Sequence, residues 1–243
     1  MILKQIKINN IGINEITNCY IVFDEKTKEA MVIDPGGEPE KIIAMLDILD
    51  AKLKYIYITH CHGDHIGGLK VLKESKGGKI LIHYLDAEGL YNNEISLTGY
   101  IGIDEVNIEA DSRLNDEDLI HIGNIEFKVI HTPPAVCPGV CITLDLIHIG
   151  NIEFKVIHTP GHTAGGTSLY CKEEKLLFSG DTLFHGTWGR TDLPTGSFKD
   201  IINSITNKLL KLPEDTIVYP GHGKSTMIRE EIPIYCELRP RED

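Results

Sequence analysis

Four short stretches of this sequence combine histidine, aspartate and glycine in a way that can do chemistry. "THCHGDHIGG" supplies His60, His62, Asp64 and His65; "HTPGHTAGG" supplies His162; "FSGDTLF" supplies Asp181; "YPGHG" supplies His222. Imidazole and carboxylate donors suit Zn2+, and also Fe or Mn. Five histidines and two aspartates exceed what one four-coordinate ion with an open position uses. They suit two divalent ions that share a bridging carboxylate and a bridging water. The competing reading makes them satisfied structural or surface side chains. That is the default for a lone histidine such as His83 or His185, but for the whole set it needs four separate glycine-flanked motifs to arise by accident.

Each motif has the same local logic, an extended run followed by a tight turn. The strand fixes a direction, and glycine allows backbone geometry that a β-carbon would forbid. A ligand presented this way stands at the rim of a sheet, where several strand ends can converge.

The elements that must do the positioning are legible along the chain. "ILKQIKIN", "TNCYIVFD" and "EAMVIDPG" read as strands bounded by turn residues. "EPEKIIAMLDILDAK" has apolar residues at helical spacing and acids in its first turn. "KYIYITH" reads as a buried strand running into "CHGDHIGG", followed by a helical "LKVLKES" and a short strand "KILIHY". The stretch from Asp86 to Glu117 is polar and irregular. "TSLYC", "KLLFSGD" and "DTIVYPGHG" read as further strands, and "FKDIINSITNKLLKL" as an amphipathic helix. No low-complexity linker divides the chain. The expectation is one α/β domain over residues 1–243, with two sheets and outer helices.

Composition narrows the function classes. The chain has 243 residues, 42% apolar and 25% charged, as in soluble globular proteins. A net charge of −12 argues against a general nucleic-acid binder, because phosphate contacts need Lys and Arg. "MILKQIKINN" carries no apolar run of signal-peptide length, and no stretch is apolar enough to span a bilayer. The expected setting is the cytoplasm, with no membrane partner and a small-molecule substrate. Six scattered cysteines fit a reduced protein. The close pair Cys137 and Cys141 is read as incidental thiols rather than a metal clip, since metal clips usually set four ligands together.

His60-Cys61-His62-Gly63-Asp64-His65 resembles the H-x-H-x-D-H signature of the metallo-β-lactamase superfamily, and the other three motifs follow in that family's order. The resemblance implies an αββα sandwich with the metals at one edge of the sheets. It places His60, His62 and His162 on the first ion and Asp64, His65 and His222 on the second, with Asp181 bridging. "IDPGG" at Ile33–Gly37 also resembles the family and is read as a structural turn. "GDTLFHGTWGRTDLPTG" looks most like the glyoxalase II-like hydrolases. The sequence ends shortly after "PGHG", so it resembles the short, single-domain relatives without a helical glutathione-binding domain.

That resemblance implies a metal-bound hydroxide attacking an acyl carbonyl, with a hydroxyacylglutathione-like thioester as the expected substrate. Asp64 is read as orienting the nucleophile as well as binding metal. Arg190 is a candidate to meet a substrate carboxylate with its planar fork, against a plain salt bridge to Asp192. Trp188 is a candidate pocket wall, against simple packing. Two rival readings stand beside the hydrolase. One is a mononuclear iron enzyme like the persulfide dioxygenases, using His60, His162 and Asp181. The other is a metal-binding scaffold inactivated by an internal repeat.

The repeat is "DLIHIGNIEFKVIHTP", sixteen residues at Asp118–Pro133 that recur at Asp145–Pro160. Such identity is read as a recent or engineered insertion, because an old duplication would have drifted. Each copy reads as strand, tight turn, strand. Copy 1 is followed by Pro134-Ala135, copy 2 by Gly161-His162. Only copy 2 can deliver a ligand, so Ile152–Thr159 is expected as the inner strand and His131 off the site. Either copy can supply the first strand. Residues 118–144 are expected to form a β-structured, partly buried excursion, extending a sheet or joining a second subunit in a homodimer.

Overall fold

A computed structural model describes residues 1–10, 15–114, 121–122, 125–126, 144–149 and 152–235. The first half forms a six-stranded sheet in sequential order: β1 (Ile2–Asn10), β2 (Glu15–Phe23), β3 (Glu29–Ile33), β4 (Lys52–Tyr57), β5 (Lys79–His83) and β6 (Ser112–Leu114). β1 to β3 pair antiparallel, and β3 to β6 run parallel. The crossovers carry helices, as parallel neighbours require: α1 (Pro39–Ile48) between β3 and β4, then α2 (Gly63–Ile66) and α3 (Leu69–Lys76) between β4 and β5. α4 (Asn93–Ser96) and two 3-10 turns lie in the polar stretch that shows no periodicity in sequence.

Two short strands, β7 (His121–Ile122) and β8 (Ile125–Glu126), pair with each other. The second six-stranded sheet is ordered β16-β15-β12-β11-β10-β9. Its members are β9 (Leu144–Ile149), β10 (Ile152–His158), β11 (Thr167–Cys171), β12 (Leu176–Gly180), β15 (Ile217–Pro220) and β16 (Thr226–Met227). β13 (Leu183–Phe184) and β14 (Thr187–Trp188) make a small hairpin beyond it, and α5 (Phe198–Asn207) and α6 (Ile228–Tyr235) complete the order.

Strand alternation sorts the apolar residues into three layers. Tyr20 and Val22 of β2 meet Phe154 and Val156 of β10 between the sheets. Cys19, Ile21 and Phe23 point the other way, onto Ile42 and Leu46 of α1 and Leu69 and Leu72 of α3. Ile157, Leu177 and Val218 face Ile201 and Ile205 of α5 and Tyr235 of α6. A strand buried on both faces reads as a continuous apolar run, as "CYIVF" does. The result is the expected αββα arrangement.

The helix read over "FKDIINSITNKLLKL" is shorter than its periodicity implies. Ser197 caps it by accepting from Asp200 N, and it ends at Asn207. Lys208 closes it as C-cap at φ −118°, ψ −65°, its ammonium donates to the His158 carbonyl at 2.6 Å, and the pattern continues only as a 3-10 turn over Leu209–Lys211. A tertiary hydrogen bond thus holds the residue at which the α-helix gives way to the 3-10 turn.

Copy 2 supplies both strands of the working hairpin. Ile152 pairs with Ile149 and Glu153 with His148, and β10 then pairs with β11 through His158 and Thr167. The tip of copy 1 has the equivalent register, Ile122 with Ile125 and His121 with Glu126. The same local sequence makes the same turn twice, but the tip of copy 1 belongs to neither large sheet. The rest of the expected excursion, with His131, Cys137 and Cys141, lies outside the described residues.

Candidate metal centre

The four motifs meet at one rim of the two sheets. β4 ends at Tyr57 and leads directly to His60 and His62; α2 carries Asp64 and His65. β10 ends at His158, four residues before His162. β12 ends at Gly180, whose φ of +50° turns the chain just before Asp181. β15 ends at Pro220, two residues before His222. Cross-sheet hydrogen bonds clamp this rim: Tyr57 Oη donates to Thr167 Oγ1 at 2.7 Å, and Tyr20 Oη to the Pro220 carbonyl at 2.7 Å.

The donor atoms form three groups, each within 4.8 Å: His60, His62 and His162; Asp64, His65 and His222; and His60, His65 and Asp181, which links the other two. Asp181 stands between the first two. Its oxygens lie 3.6 Å from His162 Nε2, 3.4 Å from His65 Nε2 and 3.4 Å from His222 Nε2.

Partners on the far side of the rings fix which nitrogen faces inward. His162 Nδ1 donates to the Arg190 carbonyl at 2.7 Å, and His222 Nδ1 to the Ile16 carbonyl at 2.9 Å. His65 Nδ1 donates to the Asp34 carboxylate at 3.0 Å. In each case the Nε2 lone pair is left for the centre, the arrangement usual for metal-binding imidazole. His60 Nε2 and Asp181 Oδ1 are buried with no hydrogen-bond partner. His62 Nδ1 and His162 Nε2 approach to 2.9 Å. Two ring lone pairs at that distance need a proton or a cation between them.

Charge follows the same division. Burial, then the neighbouring His65 and His162, hold His60 well below the usual imidazole range, and burial with His162 takes His62 down to about 3. Burial opposes ionisation of Asp181, but His222 and His65 pull it well below the usual carboxylate range. Asp64, also buried, is drawn to about 2 by His65 and His222. Burial works against the charge on His65 and His222, yet the surrounding carboxylates push them up to about 9 and about 12. The carboxylates thus demand positive charge beside them. A nitrogen-rich set with carboxylate oxygens, in which His60 Nε2, His62 Nε2 and Asp181 Oδ1 are buried without a hydrogen-bond partner, fits divalent Zn, Fe or Mn.

Sequence comparison agrees with the geometry. Residues 12–222 match the family model described as the metallo-beta-lactamase superfamily. The chain belongs to the metallo-β-lactamase superfamily. It is 37% identical to an uncharacterized protein of Aquifex aeolicus, over 95% of this chain and 94% of that one. It is 32% identical to the hydroxyacylglutathione hydrolase GloC of Haemophilus influenzae, over 91% and 94%. Among solved structures it resembles the BLEG-1 B3 metallo-β-lactamase, with TM-score 0.78, 32% identity and coverage of 96% and 97%. It also resembles TTHA1623 in a di-iron-bound form, with TM-score 0.71, 27% identity and coverage of 94% and 96%. Family membership and this donor set together point to a centre for two metal ions.

Of the two residues singled out as candidate substrate contacts, Arg190 lines the cavity beside the centre and Trp188 does not. Trp188 packs on Phe198 and Tyr235, with ring centroids 5.9 and 5.8 Å away, and is not among the residues lining the cavity beside the centre. Its indole fills the space between α5 and α6 instead. Arg190 does line the cavity, but its guanidinium makes a bidentate pair with Asp192 at 2.8 and 2.7 Å. The Arg190 carbonyl also accepts from His162 Nδ1, tying this residue to the centre.

Sequence reading missed three supporting residues. Asp34, in the "IDPGG" turn, accepts from Thr59 N and Thr59 Oγ1 at 2.8 and 2.7 Å as well as from His65. Asp86 accepts from Cys61 N, Thr163 Oγ1 and Gly165 N. Thr17 Oγ1 donates to Asp64 at 3.2 Å. The signal for Asp34 was present as an acid inside a glycine turn; Asp86 and Thr17 have no motif of their own. No helix among the described residues is long and apolar enough to cross a membrane.

Proposed function

We propose that this protein is a dinuclear metal-dependent hydrolase acting on an acyl carbonyl, a thioester in first place. The observation that carries this reading is the pair of donor groups that share no residue, His60, His62 and His162 against Asp64, His65 and His222, linked by a third group made of His60, His65 and Asp181. A mononuclear oxygenase would use His60, His162 and Asp181 and leave Asp64, His65 and His222 converging without an ion. A scaffold spoiled by the repeat would show a broken strand before His162, whereas β10 keeps its register to His158. The loop "GDTLFHGTWGRTDLPTG" and the hydroxyacylglutathione hydrolase among the relatives support the glyoxalase II-like branch.

Two bound cations, Zn2+ in first place with Fe or Mn as alternatives, would supply an acidified water and a Lewis acid for the carbonyl oxygen. The chain's own residues hold His60, His62 and His162 on one side and Asp64, His65 and His222 on the other. Asp64 Oδ2 lies 3.1 Å from His222 Nε2 and accepts from Thr17, which fixes the carboxylate beside the cavity where it orients the attacking water. The buried imidazoles His60 and His62 stay neutral, so their lone pairs remain available as donors. A thiolate leaves readily, so little acid assistance is required of the protein.

The test is metal content with turnover. Metal-replete protein is expected to hold two ions per chain by elemental analysis, to release thiol from a thioester, and to take up no oxygen. One ion per chain with oxygen uptake would favour the oxygenase instead.

A further inference from the structure

The cavity beside the centre has a volume of about 1410 Å³. Leu97, Tyr100, Ile101, Phe184 and Leu193 give it largely apolar walls, and Tyr100 stands 88% exposed at its mouth. Beyond the metal donors, the charged side chains lining it are Glu15, Glu94 and Arg190. Arg190 is the one cation among the described lining residues, and Asp192 already holds its guanidinium in two hydrogen bonds. Glu15 also acts on Arg190, adding to the hold of Asp192 on its charge. Glu15 and Glu94 form no ion pair with another described residue. Lys224 follows the lining residue Gly223 but does not itself line the cavity.

We propose that this site selects thioesters of a neutral or cationic, partly apolar thiol carrier and disfavours anionic carriers such as glutathione. The inference rests on the thioesterase reading above and concerns the carrier. In the reaction, water oxygen bonds to the acyl carbon as the C–S bond breaks. The bonding pair leaves on sulfur, and the products are a carboxylic acid and a thiol. Glutathione carries two carboxylates and one ammonium. To bind it through Arg190, the site must draw that side chain from Asp192 while Glu15 and Glu94 repel the incoming charge. Carboxylates facing a like charge lower its affinity, and because Glu15 and Glu94 are exposed the effect is screened by water and salt. A carrier with an apolar body and no negative charge keeps contact with the Leu97–Ile101 wall and meets no such repulsion.

The test uses metal-replete protein and three acetyl thioesters: S-acetylglutathione, S-acetyl-N-acetylcysteamine and acetylthiocholine. Thiol release gives kcat/KM for each. The neutral and cationic esters are expected to exceed the glutathione ester by about tenfold or more at low salt, and added salt is expected to narrow that gap. Glu15→Gln with Glu94→Gln is expected to raise the glutathione-to-thiocholine ratio about tenfold. Taking the ratio within one preparation cancels any loss of folded protein. A glutathione preference that weakens with salt, ignores the two glutamates, or falls with Lys224→Ala overturns the proposal and leaves the thioesterase reading standing. Failure to hydrolyse any of the three overturns the thioesterase reading, and this one with it.

Discussion

The Asp86 carboxylate accepts a hydrogen bond from Thr163 Oγ1 at 2.8 Å, joining the end of the first sheet to the loop after β10. The same carboxylate takes Gly165 N at 2.7 Å and Cys61 N at 3.1 Å. Cys61 sits between His60 and His62, and Thr163 follows His162. One buried acid therefore spaces two ligand-bearing turns. Asp86→Ala leaves three donors without their acceptor, a costly change in a buried place. Metal affinity, measured by competition with a coloured chelator, is expected to fall about 10–100-fold. Asp86→Asn is expected to recover part of it, because the amide oxygen still accepts. Unchanged affinity in a folded Asp86→Ala protein would count against the spacing role.

The two copies of the repeat make opposite predictions for His162, which follows copy 2, and for His131, the copy-1 counterpart of His158. His162→Ala removes an inward Nε2 whose ring donates through Nδ1 to the Arg190 carbonyl, and it is expected to cost the first ion. His131→Ala is expected to leave metal content near normal. Elemental analysis of both purified variants decides, and the reverse pattern would reassign the working copy.

Removing residues 118–144 joins Glu117 to Asp145 and keeps the β9–β10 hairpin from the Asp145–Val156 pair to its tip, with Glu117 taking the place of Leu144 opposite Ile157. The shortened protein is expected to fold, bind metal and turn over substrate at rates close to the parent. If the excursion holds two chains together, as its apolar alternation led us to expect, the parent has a dimer's mass in solution and the shortened chain a monomer's. Slow amide exchange across residues 124–144 is the accompanying expectation. Rapid exchange with a monomeric parent would remove the dimer.

Gly161 has φ +138°, and a β-carbon there would stand 2.2 Å from Ile201 N of α5. Gly161→Ala therefore combines backbone strain with a clash against a helix that cannot retreat from its packed face. It is expected to cost about 2 kcal/mol or more, read as a lowered urea midpoint, and to lower metal content as well. At Gly36 the limit is approach alone, with the new carbon 1.7 Å from the Asp64 carbonyl oxygen. That contact is why the "IDPGG" turn can lie against α2.

Withdrawing metal is expected to destabilise the fold, since the ions bind only the assembled rim. With ion at about one hundred times its dissociation constant, stability rises by about 2.7 kcal/mol per site. A chelator is thus expected to lower Tm, and one metal addition to restore both Tm and turnover. A melting curve indifferent to chelator would mean that the cluster binds no metal with useful affinity.

Much of this protein is written locally. Strand ends followed by glycine turns, with His60, His62, Asp64, His65, His162, Asp181 and His222 at their tips, needed only residue type and order to read. The identical hairpin register at Ile122–Ile125 and Ile149–Ile152 shows how strongly local sequence sets a turn. What local sequence left open was choice. Identical strands have identical propensities, so only the partners of β10, namely β11 beside it and α5 above it, put copy 2 in the sheet. The shortening of α5 at Lys208, the pairing of Arg190 with Asp192, the packing of Trp188 and the spacing by Asp86 are likewise contacts between distant segments. None leaves a periodic trace, because a hydrogen bond across the fold depends on where two chains meet, and folding alone brings them together.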